Sequence, residues 1–189
     1  MRDLPATKQT QNNMKKKIIK TVILGIVALA LLFFGINIFQ RLAEQRKFKA
    51  AIKTFIEFCS FDLKTMDQLC TESLSGKPIM LKFTHPECPF CHEKTNQLKS
   101  RKQEFENVII LMITHAEKEQ ALEFYTQYEL SQYQNIHFLI DDRLEVSRMY
   151  GSPPIPSVFL YDANRNLLFV HKGAVRMETI LNNLKTLSF

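Results

Sequence analysis

Residues 78–98, PIMLKFTHPECPFCHEKTNQL, are the stretch of sequence that decides the fold. PIMLKFT (78–84) is a short apolar run that follows the breaker Gly76-Lys77-Pro78, and this pattern predicts a buried strand. Residues 91–105 favour a helix. The motif Cys88-Pro89-Phe90-Cys91 therefore lies directly after a predicted strand and at the start of a predicted helix.

This position gives the two cysteines a specific chemistry. The first amides of a helix lack intrahelical partners and the helix dipole is positive there, so a thiolate at Cys88 is stabilised. Cys91, one turn into the helix, can then attack a mixed disulfide formed by Cys88. Pro89 suits the first helical position, where its missing N–H costs nothing. The motif predicts exchange between a dithiol and a disulfide.

The pattern beyond this motif alternates between strands and helices. Further strands are predicted at 107–114, 136–141, 157–162 and 167–172, and further helices at 116–128, 143–150 and 176–187. Four residues separate the last two strands, a spacing typical of a hairpin. The order of elements predicts an α/β fold in which helices cover both faces of a central sheet.

A second marker, Ile155-Pro156-Ser157, stands immediately before the strand predicted at 157–162. With this marker, KFTHPECPFCHEKTNQL (82–98) followed by YGSPPIPSVFLYDANRNLLFVHKG (150–173) resembles the thioredoxin superfamily. The resemblance is nearest to the TlpA and ResA type of membrane-tethered, redoxin-like proteins, and it covers about residues 60–189, most of the chain.

The resemblance implies a thioredoxin fold with a central mixed sheet and thiol-disulfide oxidoreductase activity. It also implies that Cys88 is the nucleophile, Cys91 the resolving thiol and Pro156 a cis proline that packs against the cysteine motif. In this fold the exposed backbone of the residue before that proline, here Ile155, can pair with an extended peptide. We therefore expect a protein substrate that contains a disulfide.

The sequence departs from thioredoxin at two positions near the motif. Thioredoxins carry a Trp just before the first cysteine and a buried Asp six positions before it, whereas this chain has Glu87 and Lys82. Proton transfer to or from Cys91 is therefore not assigned by the resemblance. The stretch FTHPECPFCH (83–92) also resembles the active-site stretch of periplasmic disulfide isomerases, so oxidation and isomerisation stay open beside reduction.

Other chemistry is possible at the same residues. Cys88 to His92 matches the C-x-x-C-H pattern of covalent haem attachment, and His85 and His92 with the two cysteines could hold a metal. We favour redox exchange without metal or cofactor, because the strand-helix setting already explains the motif. We expect His85 to assist the Cys88 thiolate electrostatically. The expected active-site neighbours are His85, Glu87, Pro89, Phe90, His92 and Ile155.

Two further cysteines, Cys59 and Cys70, lie before the motif. In an oxidising compartment they could pair across the ten residues between them, but a free cysteine is also a common buried apolar residue. We favour structural roles for both, and their pairing stays open.

The positive charge of the chain is concentrated at its N-terminus. Residues 1–53 hold eleven Lys or Arg and two acids, which gives this part a net charge of +9. Since the whole chain has a net charge of +6, the remaining residues have a net charge of −3. A mildly acidic remainder argues against a nucleic-acid partner, since nonspecific nucleic-acid binding needs clustered cations. The cations instead flank residues 21–40, which carry no charge and would span roughly 30 Å as a helix.

Residues 21–40 therefore predict a single N-terminal transmembrane helix. A cleaved signal peptide would have a shorter apolar run and a small-x-small site, and a buried core helix would not carry lysine clusters just outside it. The lysines at 15–17 and 20 favour a cytoplasmic N-terminus and a domain facing the periplasm or its equivalent. The expected organisation is a disordered cytoplasmic tail (1–14), an anchor with its basic flank (15–40), a juxtamembrane helix or spacer (41–58) and a thioredoxin-like domain (59–189).

Taken together, these patterns predict an oxidoreductase of the cytoplasmic (inner) membrane that reduces disulfides in exported proteins. A membrane-linked thiol donor would keep its cysteine pair reduced. The rivals are an oxidase or isomerase of the same fold and a redox-inert or metal-carrying module that recruits a partner. A peroxidase is less favoured, because a peroxidatic cysteine sits in a different motif in redoxins.

Overall fold

The computed structural model describes residues 31–185, apart from 41, 44, 45, 47 and 75. The chain forms two compact units, Met1–Lys47 and Phe48–Phe189. In the first unit, residues 31–40 are helical and expose large apolar side chains, among them Phe33 and Phe39. Among the residues described, no helix is both long and apolar enough to cross a membrane. The tail (1–14) and residues 15–30 of the expected anchor lie outside the described residues.

The second unit is built on one mixed seven-stranded sheet. Its strands are β1 (Cys59–Asp62), β2 (Asp67–Cys70), β3 (Ile79–Phe83), β4 (Ile109–Thr114), β5 (Ile136–Ile140), β6 (Ser157–Tyr161) and β7 (Leu167–Lys172). They lie in the order β2-β1-β5-β4-β3-β6-β7. The central strands β3, β4 and β5 are parallel, whereas β1, β2, β6 and β7 join the sheet by antiparallel pairing. The cysteine motif therefore follows a central strand.

Helices pack on both faces of this sheet, as predicted. They are α1 (Pro89–Ser100), α2 (Lys118–Gln127), α3 (Glu145–Met149) and α4 (Met177–Lys185), with short 3-10 helices at Thr71–Ser73, Lys102–Phe105 and Leu130–Gln132. The predicted strands lie within two residues of those observed. The helix expected at 91–105 instead starts at Pro89, a good first helical residue, and ends at Ser100.

Two apolar cores form because successive side chains of a strand point to opposite faces of the sheet. Met80 of β3 belongs to one core, which also contains Leu98 of α1, Phe124 of α2 and Ile180 of α4. Leu81 belongs to the other core. All five residues of β3 are buried, so the cysteine motif follows a fully buried strand.

The segment expected to be a juxtamembrane helix or spacer (41–58) differs from that prediction beyond Ala51. Helix ends at Ala51, and the residues that follow contribute Ile52, Phe55 and Phe58 to the core that contains Leu81. The Phe55 ring packs edge-on against Tyr161, 5.2 Å between centroids. Burial of these apolar side chains stabilises an irregular course over a continued helix. The folded domain therefore begins before Cys59, at Phe48.

The hairpin of β1 and β2 was not predicted, and it brings Cys59 and Cys70 together. The two residues are directly opposed in the antiparallel register, with their Cα atoms 4.0 Å apart, and they form a disulfide. The open question of their pairing is thereby answered. The disulfide joins the edge strand β2 to β1, and Cys88 and Cys91 are the free cysteines of the described residues.

Candidate active site

Cys88 is the N-cap residue of α1. Its backbone is extended, Pro89 occupies the first turn, and the Cys91 N–H donates to the Cys88 sulfur at 3.3 Å. The Cys88 carbonyl accepts from the amides of Cys91 and His92 at 2.9 and 3.2 Å. A sulfur at this position lies where unpaired amides and the positive end of the helix dipole stabilise negative charge.

The two cysteines differ in their access to solvent. Cys88 is partly exposed, whereas Cys91 is fully buried. Burial raises the pKa of the Cys91 thiol, and its hydrogen bond with Cys88 raises that pKa further. Phe90, between them, is 56% exposed. A partner arriving from solvent can therefore reach the Cys88 sulfur, while Cys91 retains its proton beneath it.

Pro156 lies at the same end of the sheet as the cysteine motif. The Ile155–Pro156 peptide bond is cis, and the next residue, Ser157, opposes Phe83 at the end of β3. The Pro156 carbonyl accepts from the Gly173 amide at 2.8 Å, which fixes this loop to the residue after β7. Pro156 also lines a small cavity together with Lys94 of α1. The loop thus lies near the Lys94 part of α1, and direct packing of Pro156 against the cysteine motif stays a prediction.

His92 links α1 to the loop that precedes Cys88. Its Nε2 donates to the Pro86 carbonyl at 2.5 Å, since a carbonyl only accepts, and its Nδ1 therefore accepts from the Tyr128 hydroxyl at 2.6 Å. The imidazole also packs on Phe124, 5.0 Å between centroids. Tyr128 follows α2 and lies 36 residues away in sequence. Its hydroxyl is a site contact for which no local sequence pattern provides a signal.

His85 and Glu87 lie in the loop between β3 and α1. The His85 ring lies 5.0 Å from that of His115, and its Nδ1 accepts from the Glu87 amide at 3.2 Å. Desolvation lowers the pKa of His85, His115 lowers it further, and Glu87 opposes both. The lowered pKa favours the neutral imidazole. The expectation that His85 stabilises a Cys88 thiolate by its charge is therefore not supported.

A metal site would need several of these side chains to converge. Within the described part of the chain, no group of three or more His, Cys, Asp or Glu side chains is placed to hold a metal ion. Both ring nitrogens of His92 already have hydrogen-bond partners. His92 is therefore not arranged as a ligand beside the two cysteines.

Lys82 is buried below α1, at the position where the sequence departs from thioredoxin. It is 4% exposed, and its Nζ donates to the Thr95 hydroxyl at 2.9 Å. That hydroxyl donates to the Cys91 carbonyl at 2.8 Å. Burial lowers the pKa of Lys82 to about 8, although the charges of Cys91 and Cys88 act to raise it. The sequence shows that a lysine at this position departs from thioredoxin, but it does not show that the side chain is buried.

Comparison with known proteins agrees with this fold. A model of the thioredoxin-like domain family matches residues 67–188, which include both cysteines and the cis proline. The thiol-disulfide oxidoreductase ResA of Halalkalibacterium halodurans is 24% identical over 161 residues, covering 84% of this chain and 87% of that protein.

Two solved structures are similar at low identity. One is a secreted disulfide oxidoreductase of Mycobacterium tuberculosis homologous to E. coli DsbE, with a TM-score of 0.60 and 20% identity over 72% of this chain and 98% of that one. The other is a thiol-disulfide oxidoreductase of Bacteroides fragilis, with a TM-score of 0.59 and 19% identity over 71% of this chain and 99% of that one. The strand order, the N-capping cysteine, the cis proline and the family match lead to one conclusion: this chain belongs to the thioredoxin-like family.

Proposed function

We propose that this protein is a membrane-anchored enzyme that reduces disulfides in exported proteins through Cys88 and Cys91. The chain is a thiol-disulfide oxidoreductase of the thioredoxin type, as its family and its ResA relative indicate. The observation that carries the proposed roles is the unequal pair at the start of α1. Cys88 is accessible at the helix N-terminus, and Cys91 is buried one turn later.

The reaction has two thiol-disulfide exchange steps. The Cys88 thiolate attacks one sulfur of the substrate disulfide, forms a mixed disulfide and releases the other substrate sulfur as a thiolate. Cys91 then loses its proton and attacks the Cys88 sulfur, so the Cys88–Cys91 disulfide forms and the second substrate sulfur leaves. The substrate gains two electrons from the cysteine pair and one proton from Cys91, and because Cys88 reacts as a thiolate, the second proton comes from outside the pair. A thiol donor must then reduce the pair.

Substrate binding is assigned to the surface around Cys88. Exposed Phe90 offers an apolar contact, and the backbone of Ile155 before the cis proline is placed to pair with an extended peptide. His92 holds the loop before Cys88 through the Pro86 carbonyl, so it positions the nucleophile without contacting substrate. Pro89 starts the helix whose amides stabilise the thiolate.

The proposed location rests on the N-terminal segment and on the second cysteine pair. Residues 21–40 carry no charge, and the large apolar side chains described at 31–39 are exposed. A helix with an exposed apolar surface is suited to the hydrocarbon core of a lipid bilayer. The Cys59–Cys70 disulfide suits an oxidising compartment, since disulfides seldom persist in the cytosol. A periplasmic domain with a membrane-linked thiol donor fits both observations.

The test uses the full-length chain in mild detergent and a labelled peptide disulfide as substrate. Cys88→Ser should abolish exchange, whereas Cys91→Ser should accumulate a mixed disulfide between Cys88 and the substrate. The double variant Cys59→Ser/Cys70→Ser is the matched control, and it should retain exchange at a temperature where it stays folded. Full activity in Cys88→Ser would refute the proposed mechanism.

The direction of electron flow is tested by the reduction potential of the Cys88–Cys91 pair. A value near about −270 mV, that of thioredoxin, supports a reductant, and one near about −120 mV, that of DsbA, supports an oxidase or isomerase instead. If no Cys88–Cys91 pair titrates and no exchange occurs, a partner-recruiting module becomes the better interpretation.

A further inference from the structure

Lys82 is the charged side chain most in need of an explanation in this fold. It lies in the central strand β3, where its register partners are Met112 of β4 and Val158 of β6. All three residues are buried. Enclosing an ammonium group among apolar side chains costs several kcal/mol unless a partner compensates for the lost hydration.

Within the described residues, no carboxylate pairs with this amine. Among the residues that the structure describes, the Lys82 amine has one hydrogen-bond partner, the Thr95 hydroxyl, and it forms no ion pair. Since Thr95 donates its own proton to the Cys91 carbonyl, the hydroxyl can accept from the lysine whether the amine is charged or neutral. This contact therefore holds the side chain in place without fixing its protonation state.

The negative charges that act on Lys82 are those of the cysteine pair. Thiolates at Cys91 and Cys88 favour its protonated form, whereas burial and Lys94 favour the neutral form.

A cavity of about 20 Å³ lies beside the Lys82 side chain, and Lys94 is the other titratable residue among those lining it. On the sheet side, β4 and β6 present Met112 and Val158, which do not titrate. On β7, the next titratable residue is His171, whose register partner is Val158. On α4, Glu178 pairs with Arg101.

We infer that Lys82 takes up a proton when the Cys88–Cys91 disulfide is reduced and releases it when the pair is oxidised again. The inference rests on the dithiol exchange proposed above. In the disulfide neither sulfur can carry charge, so the attraction that favours the protonated lysine is absent while its burial remains. The pKa of Lys82 is about 8 in the dithiol form and is therefore lower in the disulfide form.

The proton balance of reduction follows from this difference. A dithiol donor breaks the Cys88–Cys91 bond, supplies two electrons and two protons, and leaves as its own disulfide. One proton goes to the Cys91 sulfur and the other to the Lys82 amine, so Cys88 is left as the thiolate that attacks the next substrate. Lys82 thus acts on the nucleophile through charge, as a positioning residue, and makes no contact with substrate.

The experiment measures the pH dependence of the equilibrium with oxidised and reduced dithiothreitol. Full-length protein in detergent is equilibrated from pH 6 to 9 and quenched by alkylation, and peptide mass spectrometry then quantifies the Cys88–Cys91 and Cys59–Cys70 pairs separately. The variants are Lys82→Met, which removes the amine, and Lys99→Met, which removes a lysine of α1 that pairs with Glu129 at the surface.

Below pH 8, the wild-type equilibrium constant for reduction of the Cys88–Cys91 disulfide should fall as the pH rises. Per pH unit, this fall should exceed that of Lys82→Met by a factor of up to ten. This extra dependence corresponds to one additional proton bound by the reduced form, and it should vanish above pH 8. Lys99→Met should follow the wild type. A purely structural role for Lys82 would leave the pH dependence unchanged.

Equal pH dependence in wild type and Lys82→Met would overturn the inference while leaving the exchange mechanism intact. Failure of the wild-type Cys88–Cys91 pair to titrate would refute the proposed function itself, and the inference with it. Should Lys82→Met not fold, NMR of lysine-labelled wild type decides the question. The Lys82 side-chain signal, assigned by its contact with Thr95, should titrate at higher pH in the reduced protein than in the oxidised one, and equal midpoints would overturn the inference.

Discussion

Replacement of Lys82 by methionine should make the folded protein more stable. Methionine has a similar length and carries no charge, so it fits the same space between the sheet and α1. The lowering of the lysine pKa from 10.5 to about 8 corresponds to about 3 kcal/mol of burial cost when the group is charged. Loss of the hydrogen bond to Thr95 offsets about 1 kcal/mol of this. The expected net gain in the free energy of unfolding is about 2 kcal/mol at pH 7.

The gain should depend on pH with a defined sign. Between pH 8 and 10.5 the unfolded chain binds a proton on this lysine that the folded chain does not bind, so the stability of the wild type rises with pH in this range. Below pH 8 the full difference between variant and wild type is present. It should shrink as the pH increases from 8 to 10.5, because the lysine becomes neutral in the unfolded chain as well.

Denaturant unfolding of both full-length proteins, in the same detergent and thiol buffer, measures this difference. The chain contains no tryptophan, so the near-ultraviolet circular dichroism of its tyrosines reports loss of the packed core. Lys99→Met, a surface change on α1, should alter stability by less than about 0.5 kcal/mol. Equal stability of wild type and Lys82→Met at pH 7, or a difference that does not change up to pH 10.5, would refute the reasoning.

Three other changes have expected outcomes. Cys59→Ala/Cys70→Ala should lower the free energy of unfolding by about 3 kcal/mol, because the disulfide closes a loop with ten residues between its ends, and urea midpoints without reductant measure the loss. Gly151→Ala should cost about 2 kcal/mol in the same assay, since φ is +71° and the new Cβ would lie 2.6 Å from the Phe48 ring. Because desolvation and His115 lower the pKa of its imidazole, His85→Gln should change the alkylation rate of the nucleophilic cysteine less than about twofold, and a tenfold loss would show that a charged imidazole acts there.

The sequence predicted the part of the fold in which local pattern and tertiary packing agree. The buried run of β3, the proline at the start of α1 and the hairpin of β6 and β7 each carry a local signal, and each is found within two residues of its expected place. The position of the two cysteines follows from the same signals, because a predicted helix start directly after a predicted buried strand puts Cys88 at the helix N-terminus.

The remaining features depend on contacts that no local pattern contains. The strands β1 and β2 have only four residues each, with little alternation, and the pairing of Cys59 with Cys70 depends on their register. The contact of His92 with Tyr128 joins residues 36 positions apart. The sequence shows that Lys82 stands where thioredoxins have an Asp, but its burial depends on the packing of both neighbouring strands and α1.

The irregular segment after Ala51 determines where a usable fragment of this protein can start. A boundary at Cys59 would remove Phe55 and Phe58, and loss of a buried aromatic side chain typically costs about 3–5 kcal/mol. It would also remove the Phe55 amide, which donates to the Arg165 carbonyl at the turn between β6 and β7. A fragment cut at the family match, from residue 67, would discard β1 and its disulfide as well. Domains exchanged between proteins of this kind should therefore be joined before Phe48, so that the aromatic segment travels with the sheet it covers.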